Sequence, residues 1–539
     1  MKKQILSNNN LPLNPLKGTL ATYTCLRCLH QKPLQGFGVK SSTLNQLRYL
    51  FLIILFSGFI QIANAQSEKL SLSLDEVVRI ASKSSLDAFR YKNMYLSSYW
   101  EYRYYKADKL PSLSMSATPL DFNHYRKREY NFQTNEDQYV LRDYVNSDVA
   151  LRLNQNIGLT GGSLFLSSEL GMVKNMGGDK VTSYQATPVS IGYSQSLNGY
   201  NALRWQSKIE PVKYNKAKKS FIQSQETLAM KSTAMFFDLV EAQIQLKIAQ
   251  NNMSNADTLY KIGKGRFQVG TVTQDELLNL ELNQLNSQQA LNSAKLEVTR
   301  AQSGLNSYLM MDKKSQIDCK VPSEIPSLQI MADHALDLAL KNNPEILDQE
   351  QQMLEQDQQV AQARSESGLN TTVFAMYGLN QSAENFDKIY DQPDQSQRVQ
   401  VGFNIPLVDW GRRKGKLMMA ESTREVANAR IKQSRIDFEQ NIFQSVMEFN
   451  LQAEQVRNAA KADTVAAKGF EVTFQRFLIG KVDVIKLNIA RNDRESARKA
   501  YINAVKTYWS YYYRLRMLTL FDFIKNEDLT AEYDKIIQN

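Results

Sequence analysis

The chain of 539 residues carries 65 Lys/Arg against 55 Asp/Glu, a formal charge of +10, with three histidines and three cysteines. Seven of the basic residues and no acidic one precede residue 66, so the remainder stands near +3, which excludes the basic footprint of a nucleic-acid-binding surface. Beyond residue 65 only His124, His334 and Cys319 remain, with no phosphate-binding loop or nucleophile elbow, so no set for enzymatic acid–base or nucleophilic chemistry is present.

Reading from the N-terminus, Leu50–Ile62 is an apolar run too short to span a bilayer, which takes about 20 residues. Arg48 flanks it and Ala63-Asn64-Ala65 follows. Residues 1–65 therefore read as a leader with a secretory signal cut after Ala65 and a mature start at Gln66. Roughly 45 residues precede the run, more than an ordinary signal n-region uses, which fits either a start nearer Arg48 or an atypical leader. No cysteine stands at the cleavage point, so no lipid anchor is expected there. Cys25 and Cys28, with His30 close by, lack the second ligand pair that a zinc site needs, and they lie in the leader. Cys319 is then a lone thiol without an internal bridge. No metal and no cofactor is expected. No other run suits a membrane helix, so a membrane crossing has to be a closed barrel.

The expected organisation beyond the leader is a first unit over 66–310, a linker over 311–330, a second unit over 331–520 and a tail over 521–539. Strands are expected at about 111–197. Leu113, Met115 and Ala117 alternate with serines, and Val149, Leu151 and Leu153 alternate with Ala150, Arg152 and Asn154. Leu164 and Leu166, then Val189, Ile191 and Tyr193, continue the pattern. Such period-two runs of about ten residues suit membrane-barrel strands. The charged, Tyr-rich stretch Asp121–Asn146 is expected as an outer loop, Thr160-Gly161-Gly162 as a tight inner turn, and Asn175–Lys180 as a second outer loop.

Long helices are expected at 200–265 and 272–310. Val212–Ile262 contains no Gly or Pro, which cost about 1 and 3 kcal/mol in a helix interior. Asn201–Gly265 as one helix spans about 100 Å, and Pro211 either begins its straight part or kinks it. In the second unit, Val373, Ala375 and Tyr377 and then Val399, Val401 and Phe403 mark strands within about 369–407, with an outer loop near Asn380–Gln397. Helices follow at 410–475 and 482–518, and Lys416–Lys468 again lacks Gly and Pro. Apolar positions in these helices are diluted by Gln, Asn, Lys and Ala, which suits packing along one or two stripes with a wet polar face. Tyr193, Tyr200, Phe403 and Trp410 suit an aromatic belt where barrel meets helix.

The two units align. Arg266-Phe267-Gln268-Val269-Gly270-Thr271-Val272 matches Arg476-Phe477-Leu478-Ile479-Gly480-Lys481-Val482 at an offset of 210. The same ungapped offset pairs Leu197 with Leu407, Tyr200 with Trp410, Gln245 with Gln455 and Ala256 with Ala466. Val77–Ala81 matches Ala335–Ala339 at an offset of 258, so the first unit carries some 48 extra residues, which fall among its strands. The fold class expected is an α+β membrane protein built from a duplicated helix–strands–long helix–helix unit.

On the duplication, the two R-F-x-x-G-x-V turns and Leu407-Val408-Asp409-Trp410-Gly411 ahead of a long helix, the chain resembles the TolC family of outer-membrane efflux and secretion ducts. Leu197-Asn198-Gly199-Tyr200 is a looser counterpart of the last motif, and the resemblance covers roughly Leu70 to Leu520. It implies a homotrimer that closes a β-barrel in outer-membrane lipid and an α-helical barrel in the periplasm, a passive duct and not an enzyme. It also implies that the turns form the periplasmic tip and meet a membrane-fusion adaptor linked to an inner-membrane pump. Arg266, Phe267, Gly270, Val272, Arg476, Phe477, Gly480 and Val482 would then face the adaptor, or only build the turns. Tyr200, Trp410 and Gly411 would form the barrel–helix junction. The family typically places a carboxylate six residues after each turn glycine. Glu276 keeps this, with Asp275 before it, whereas Lys486 departs from it, so Asp275, Glu276 and Lys486 are candidates for a pore constriction of mixed charge. The family usually contributes four strands per copy, and six candidates stand here, so the extra hairpin, expected at Val149–Gly171, either widens the barrel or folds elsewhere. The competing reading is a periplasmic coiled-coil adaptor or scaffold without a channel. It would need a soluble β domain flanking one hairpin, whereas these strands interrupt two equivalent helical units.

Overall fold

The computed structural model describes residues 69–177, 180–313, 315–322, 325–405 and 407–538. The expected signal, its cleavage site, Cys25, Cys28 and His30 lie outside the described residues. Strand β1 (Lys69–Ser73) leads into α1 (Leu74–Ser84) through a reciprocal cap, in which the Ser73 hydroxyl accepts from the Glu76 N–H and the Glu76 carboxylate accepts from the Ser73 N–H. The Ser85 hydroxyl caps α2 (Leu86–Asp108) by accepting from the Ala88 N–H. Four strands follow: β2 (Ser112–Asn131), β3 (Glu136–Ile157), β4 (Gly162–Asn175) and β5 (Thr182–Ser196). Helices α3 (Ala202–Gln268) and α4 (Gln274–Tyr308) complete the first half. The second half runs β6 (Gln316–Lys320), α5 (Ala332–Asn342), α6 (Pro344–Ser367), β7 (Asn370–Ala383), β8 (Asp394–Asn404), α7 (Arg412–Leu478) and α8 (Val484–Thr519). Short β9 (Phe521–Asp522), β10 (Glu527–Asp528) and α9 (Tyr533–Gln538) form the tail.

Helices α3 and α7 each hold 67 residues, about 100 Å of helix. Pro211 lies inside α3, which continues through it. The helices form a layer in a definite order. α2 and α4 pack on successive lengths of α3, which packs on α6 and α8, and these pack on α7. Polar ties set their register: Asp87 with Lys231 at 2.7 Å, Lys216 with Asp348 at 2.9 Å, Lys506 with Asp238 at 2.6 Å and Arg498 with Asp463 at 2.7 Å.

The strands β2-β3-β4-β5-β7-β8 form one antiparallel sheet in that order. The expected outer loop Asp121–Asn146 is instead the outer half of a hairpin. Past a bulge between Thr118 and Asp121, β2 and β3 pair from Asp121↔Asn146 to Asn131↔Glu136. Both faces are wet there, so the ladder holds without apolar alternation, and cross-strand ion pairs of Arg128 with Asp137 and Arg142 with Glu129 take its place. The expected outer loop near Asn380–Gln397 is likewise narrower, because β7 runs to Ala383 and β8 starts at Asp394.

The main core sits midway along the long helices. Phe236, Phe237 and Leu239 of α3 meet Leu305 of α4, Ile442 and Phe449 of α7, and Val505, Tyr508 and Leu515 of α8. Val77 and Ala81 of α1 and Ala335 and Ala339 of α5 close over it. The linking segments are pinned by side-chain amides. Gln243 donates to the Ile317 carbonyl at 2.6 Å and accepts from the Cys319 N–H, while Asn450 spans both backbone groups of Ile330. Partial burial pushes the Cys319 thiol up to about 12, away from the thiolate form.

At the edge of this core, Arg516 bridges Glu226 at 2.8 Å and Asp522 at 2.9 Å, and all three are largely buried. Burial raises the Glu226 carboxyl, against the pull of Arg516. Burial also opposes ionisation of Asp522. There the Tyr512 hydroxyl, the N–H groups of Lys525 and Ile524, and Arg516 outweigh it and hold the pKa low. Arg516→Ala would leave two buried carboxyls without their cation. A loss of about 3–5 kcal/mol in chemical denaturation is expected, with earlier proteolysis of the tail 521–538. Glu226→Gln keeps a hydrogen-bonding side chain in place and should cost much less.

Candidate functional site

The two repeated motifs end α3 and α7 in the same way. The Gly270 N–H donates to the Phe267 carbonyl and the Thr271 N–H to that of Arg266; Gly480 and Lys481 repeat both bonds with Phe477 and Arg476. This is the paired-bond helix stop that needs a left-handed residue, and Gly270 and Gly480 stand at φ of 75° and 74°. The Thr273 hydroxyl then caps α4, with Glu276 returning a bond to the Thr273 N–H at 3.0 Å, and the Asp483 carboxylate caps α8 through the Lys486 N–H at 2.8 Å. The R-F-x-x-G-x-V pattern is thus a complete prescription for stopping one helix and starting the next.

The side chains at the two turns differ. Phe477 is only 7% exposed and joins Leu259, Leu280, Phe470 and Leu487 in a small second core, with Val482 packed on it. Phe477 and Val482 therefore pack inward within the chain, as residues that build the turn would, whereas Phe267 is exposed. Arg266 reaches across and donates to the Leu478 carbonyl at 3.0 Å, so it serves the other helix end. Arg476 is exposed and Val272 half-buried. Among the apolar side chains of the two motifs the most exposed are Val269, at 73%, and Ile479, at 65%. Both are variable positions of the motif, which sequence reading passed over. The available signal was an apolar residue just before a turn glycine, where the chain reverses and no neighbour covers it. Between the turns lies a cavity of about 620 Å³, lined by Arg266, Glu276, Lys481 and Asp483 among others.

The constriction candidates have local duties. Glu276 is engaged in the α4 cap. The Thr273 hydroxyl, with the first-turn N–H groups, holds Asp275 below the usual carboxylate range. Lys486 is exposed, and no Glu276–Lys486 ion pair forms among the described residues. At the other end of the long helices, Gly411 at φ 81° starts α7, and the Asp409 carboxylate accepts from the Gly411 and Arg413 N–H groups. Trp410 is 96% exposed beside Leu407 and Val408. Asn201 starts α3 and also donates to the Gly158 carbonyl at 3.0 Å, tying the helix to the β3–β4 turn. The Tyr200 hydroxyl accepts from the Gln358 amide.

The sheet has two unlike faces. On one face the register aligns Leu113 and Met115 with Leu153 and Leu151, then Leu166, Ile191, Tyr377, and Val399 and Val401, and most of these are exposed. The other face carries Ser112, Ser114, Asn154, Arg152, Ser167, Gln400 and Arg398, with Phe165 and Phe374 stacked across it. No helix among the described residues is long and apolar enough to cross a membrane. No group of His, Cys, Asp or Glu among them is arranged to hold a metal ion. His124 pairs with Asp143 on the outer hairpin, and His334 stands edge-on to Phe521.

A family model described as outer membrane efflux protein matches residues 154–309 and 335–519, well over half of the chain, and the chain belongs to that family. Among solved structures it is similar to the CmeC outer membrane channel of Campylobacter jejuni, at 15% identity over 86% of this chain and 88% of that one, with a TM-score of 0.61. A membrane protein from Pseudomonas aeruginosa shares 13% identity over 84% of this chain and 91% of its own, also at 0.61. The outer membrane protein VceC from Vibrio cholerae shares 12% over 83% and 95%, at 0.59. At these identities the likeness is one of fold. No curated protein matches the chain significantly.

The Arg266 bond makes the tip a coupled pair of turns. Arg266→Ala should speed amide exchange over residues 476–483 by roughly fivefold, the worth of one hydrogen bond of about 1 kcal/mol. Arg476→Ala should leave exchange over residues 264–273 unchanged, and equal effects of the two variants would refute the coupling.

Proposed function

We propose that this outer membrane efflux protein is a passive exit duct of a tripartite efflux or type I secretion system, three copies enclosing one water-filled conduit. The reading rests on where the open edges fall. The sheet ends at β2 and β8, and the helix layer ends at α2 and α4 on one side and α7 on the other. Since α2 leads into β2 and β8 into α7, sheet and helices are open on the same two flanks. Both flanks expose apolar side chains at helical spacing: Leu278, Leu282 and Leu285 on α4, and Ile436, Phe443 and Met447 on α7. Two unlike flanks that complement each other associate head to tail, and such an association ends only when a ring closes. The number three comes from the family resemblance.

The apolar sheet face meets outer-membrane lipid, with Trp410 and its exposed neighbours at the boundary, and the helices extend into the periplasm. The shared order of helix, strands, 67-residue helix and shorter helix in the two halves supports a duplicated unit. At the far end the tip offers Val269 and Ile479, flanked by Arg476 and Lys481, to a periplasmic membrane-fusion adaptor, behind which stands an inner-membrane pump. The sequence holds no phosphate-binding loop, so cargo choice and energy come from those partners.

Val269→Asp combined with Ile479→Asp should leave a trimer in the outer membrane but cut adaptor co-purification by roughly tenfold or more, with loss of efflux. Undiminished co-purification would remove the tip as the docking surface, and a wild-type protein that runs as a monomer outside the outer membrane would end the duct reading. For the constriction, Lys486→Asp should shift single-channel selectivity toward cations, and unchanged selectivity would take Lys486 out of the pore.

A further inference from the structure

The sheet holds two more strands than the family resemblance leads to, and they form the β2–β3 hairpin. The family match begins at residue 154, so β2 and most of β3 lie outside the matched residues. This hairpin could be a decoration outside the membrane or part of the wall, and three observations separate these.

The first is hydrogen bonding. β3 pairs with β4 without interruption from Tyr144↔Asn175 to Ile157↔Gly162, and β2 pairs with β3 from Ser112↔Asn154 to Thr118↔Asp148. The β4 edge is thus already occupied by β3, and β8 of another copy could reach it only if this whole ladder of backbone bonds were first broken. The second is the face pattern. Leu113 and Met115 of β2 continue, through Leu153 and Leu151 of β3, the apolar face of the four matched strands; Leu113, Met115 and Leu151 are exposed and Leu153 is half-buried. A hairpin in water has no reason to keep that alternation in register with a lipid-facing one. The third is length and direction. β8 has 11 residues, and β2 runs nine, Ser112–Leu120, the first seven of them paired, before its ladder resumes past the bulge at Asp121. β2 runs away from the helices and β8 toward them, so their open edges can pair antiparallel. Beyond the bulge both faces turn polar, and the ribbon stands clear of the apolar band.

Resting on the ring reading above, we infer that β2 of one copy pairs with β8 of the next, so that the membrane wall takes six strands from each copy and three copies close an eighteen-stranded barrel. With about 4.8 Å between strands and a tilt near 40°, eighteen strands give a barrel about 36 Å across, against about 24 Å for twelve. Such a mouth does not sieve small solutes, and sieving falls to the helical part of the duct.

The test is disulfide trapping in outer-membrane vesicles, read on non-reducing gels. Ser114→Cys is paired in turn with Gln400→Cys and Gly402→Cys, and Ser167→Cys on β4 with the same two. Covalent dimers and trimers from the β2–β8 pairs, with none from the β4–β8 pairs, are expected. Cross-links from β4 to β8 alone, or none from either set in a protein that still migrates as a native trimer, would overturn the six-strand wall while leaving the ring standing. Absence of any native trimer would overturn the ring and the wall together. A second readout does not depend on register: bimane on Met115→Cys should be quenched by brominated lipid several-fold more than on Ser114→Cys. Equal quenching at the two positions would take β2 out of the wall.

Discussion

A strand edge in hydrocarbon leaves a row of N–H and C=O groups with nothing to bond, and no side-chain arrangement repairs this. One chain of this protein has two such edges, β2 and β8, and on the proposed reading its exposed apolar sheet face meets lipid. On that reading the isolated chain is an unfinished object, and its remaining features answer to that condition. The helices below the sheet are arranged so that their uncovered apolar stripes lie on the flanks where the strand edges lie. In the proposed ring a single rotation would satisfy backbone and side chains together, where separate solutions for sheet and helices would compete.

Apolar side chains are distributed accordingly. They concentrate midway along the long helices, where α1 and α5 add extra layers, and thin out toward either end. At the tip a small cluster around Phe470 and Phe477 holds two hairpins together, with Arg494 lying 4.0 Å over the Phe470 ring. Helices about 100 Å long cannot be held by one core, so polar ties at intervals carry the register between them. The buried Arg516 cluster is a different kind of tie. It fastens the tail against α3 and α8, and its two carboxyls depend on one cation.

Much of this was legible from residue order because each signal had a direct physical cause. Runs without Gly or Pro marked α3 and α7, since those residues are what stop a helix. Apolar alternation marked all six strands wherever one sheet face is apolar and the other polar. It failed at 121–146 because there both faces are wet, and a ladder held by Arg128–Asp137 and Arg142–Glu129 has the composition of a loop. Glu276 was singled out for a pore by its spacing from Gly270, although the same spacing places it in the capping box of Thr273. Local backbone demands and long-range function can require one residue type at one position, and sequence alone does not separate them.

The tip turns carry this point furthest. The two motifs are alike because the helix stop fixes their backbone, with Gly left-handed and the preceding carbonyls taken up in order. That requirement accounts for the glycines completely and gives the arginines a position without giving them a task. Arg266 found one on the neighbouring helix end while Arg476 stayed in solvent, and Phe477 was buried while Phe267 was not. Identity of motif is therefore weak grounds for identity of role. Residues that contact a partner are better sought among those with no structural duty and a solvation cost in the free chain. At this tip Val269 and Ile479 are such residues, held out by the turns at the end of the helices, where burial by another protein would recover the apolar area that the isolated chain leaves in water.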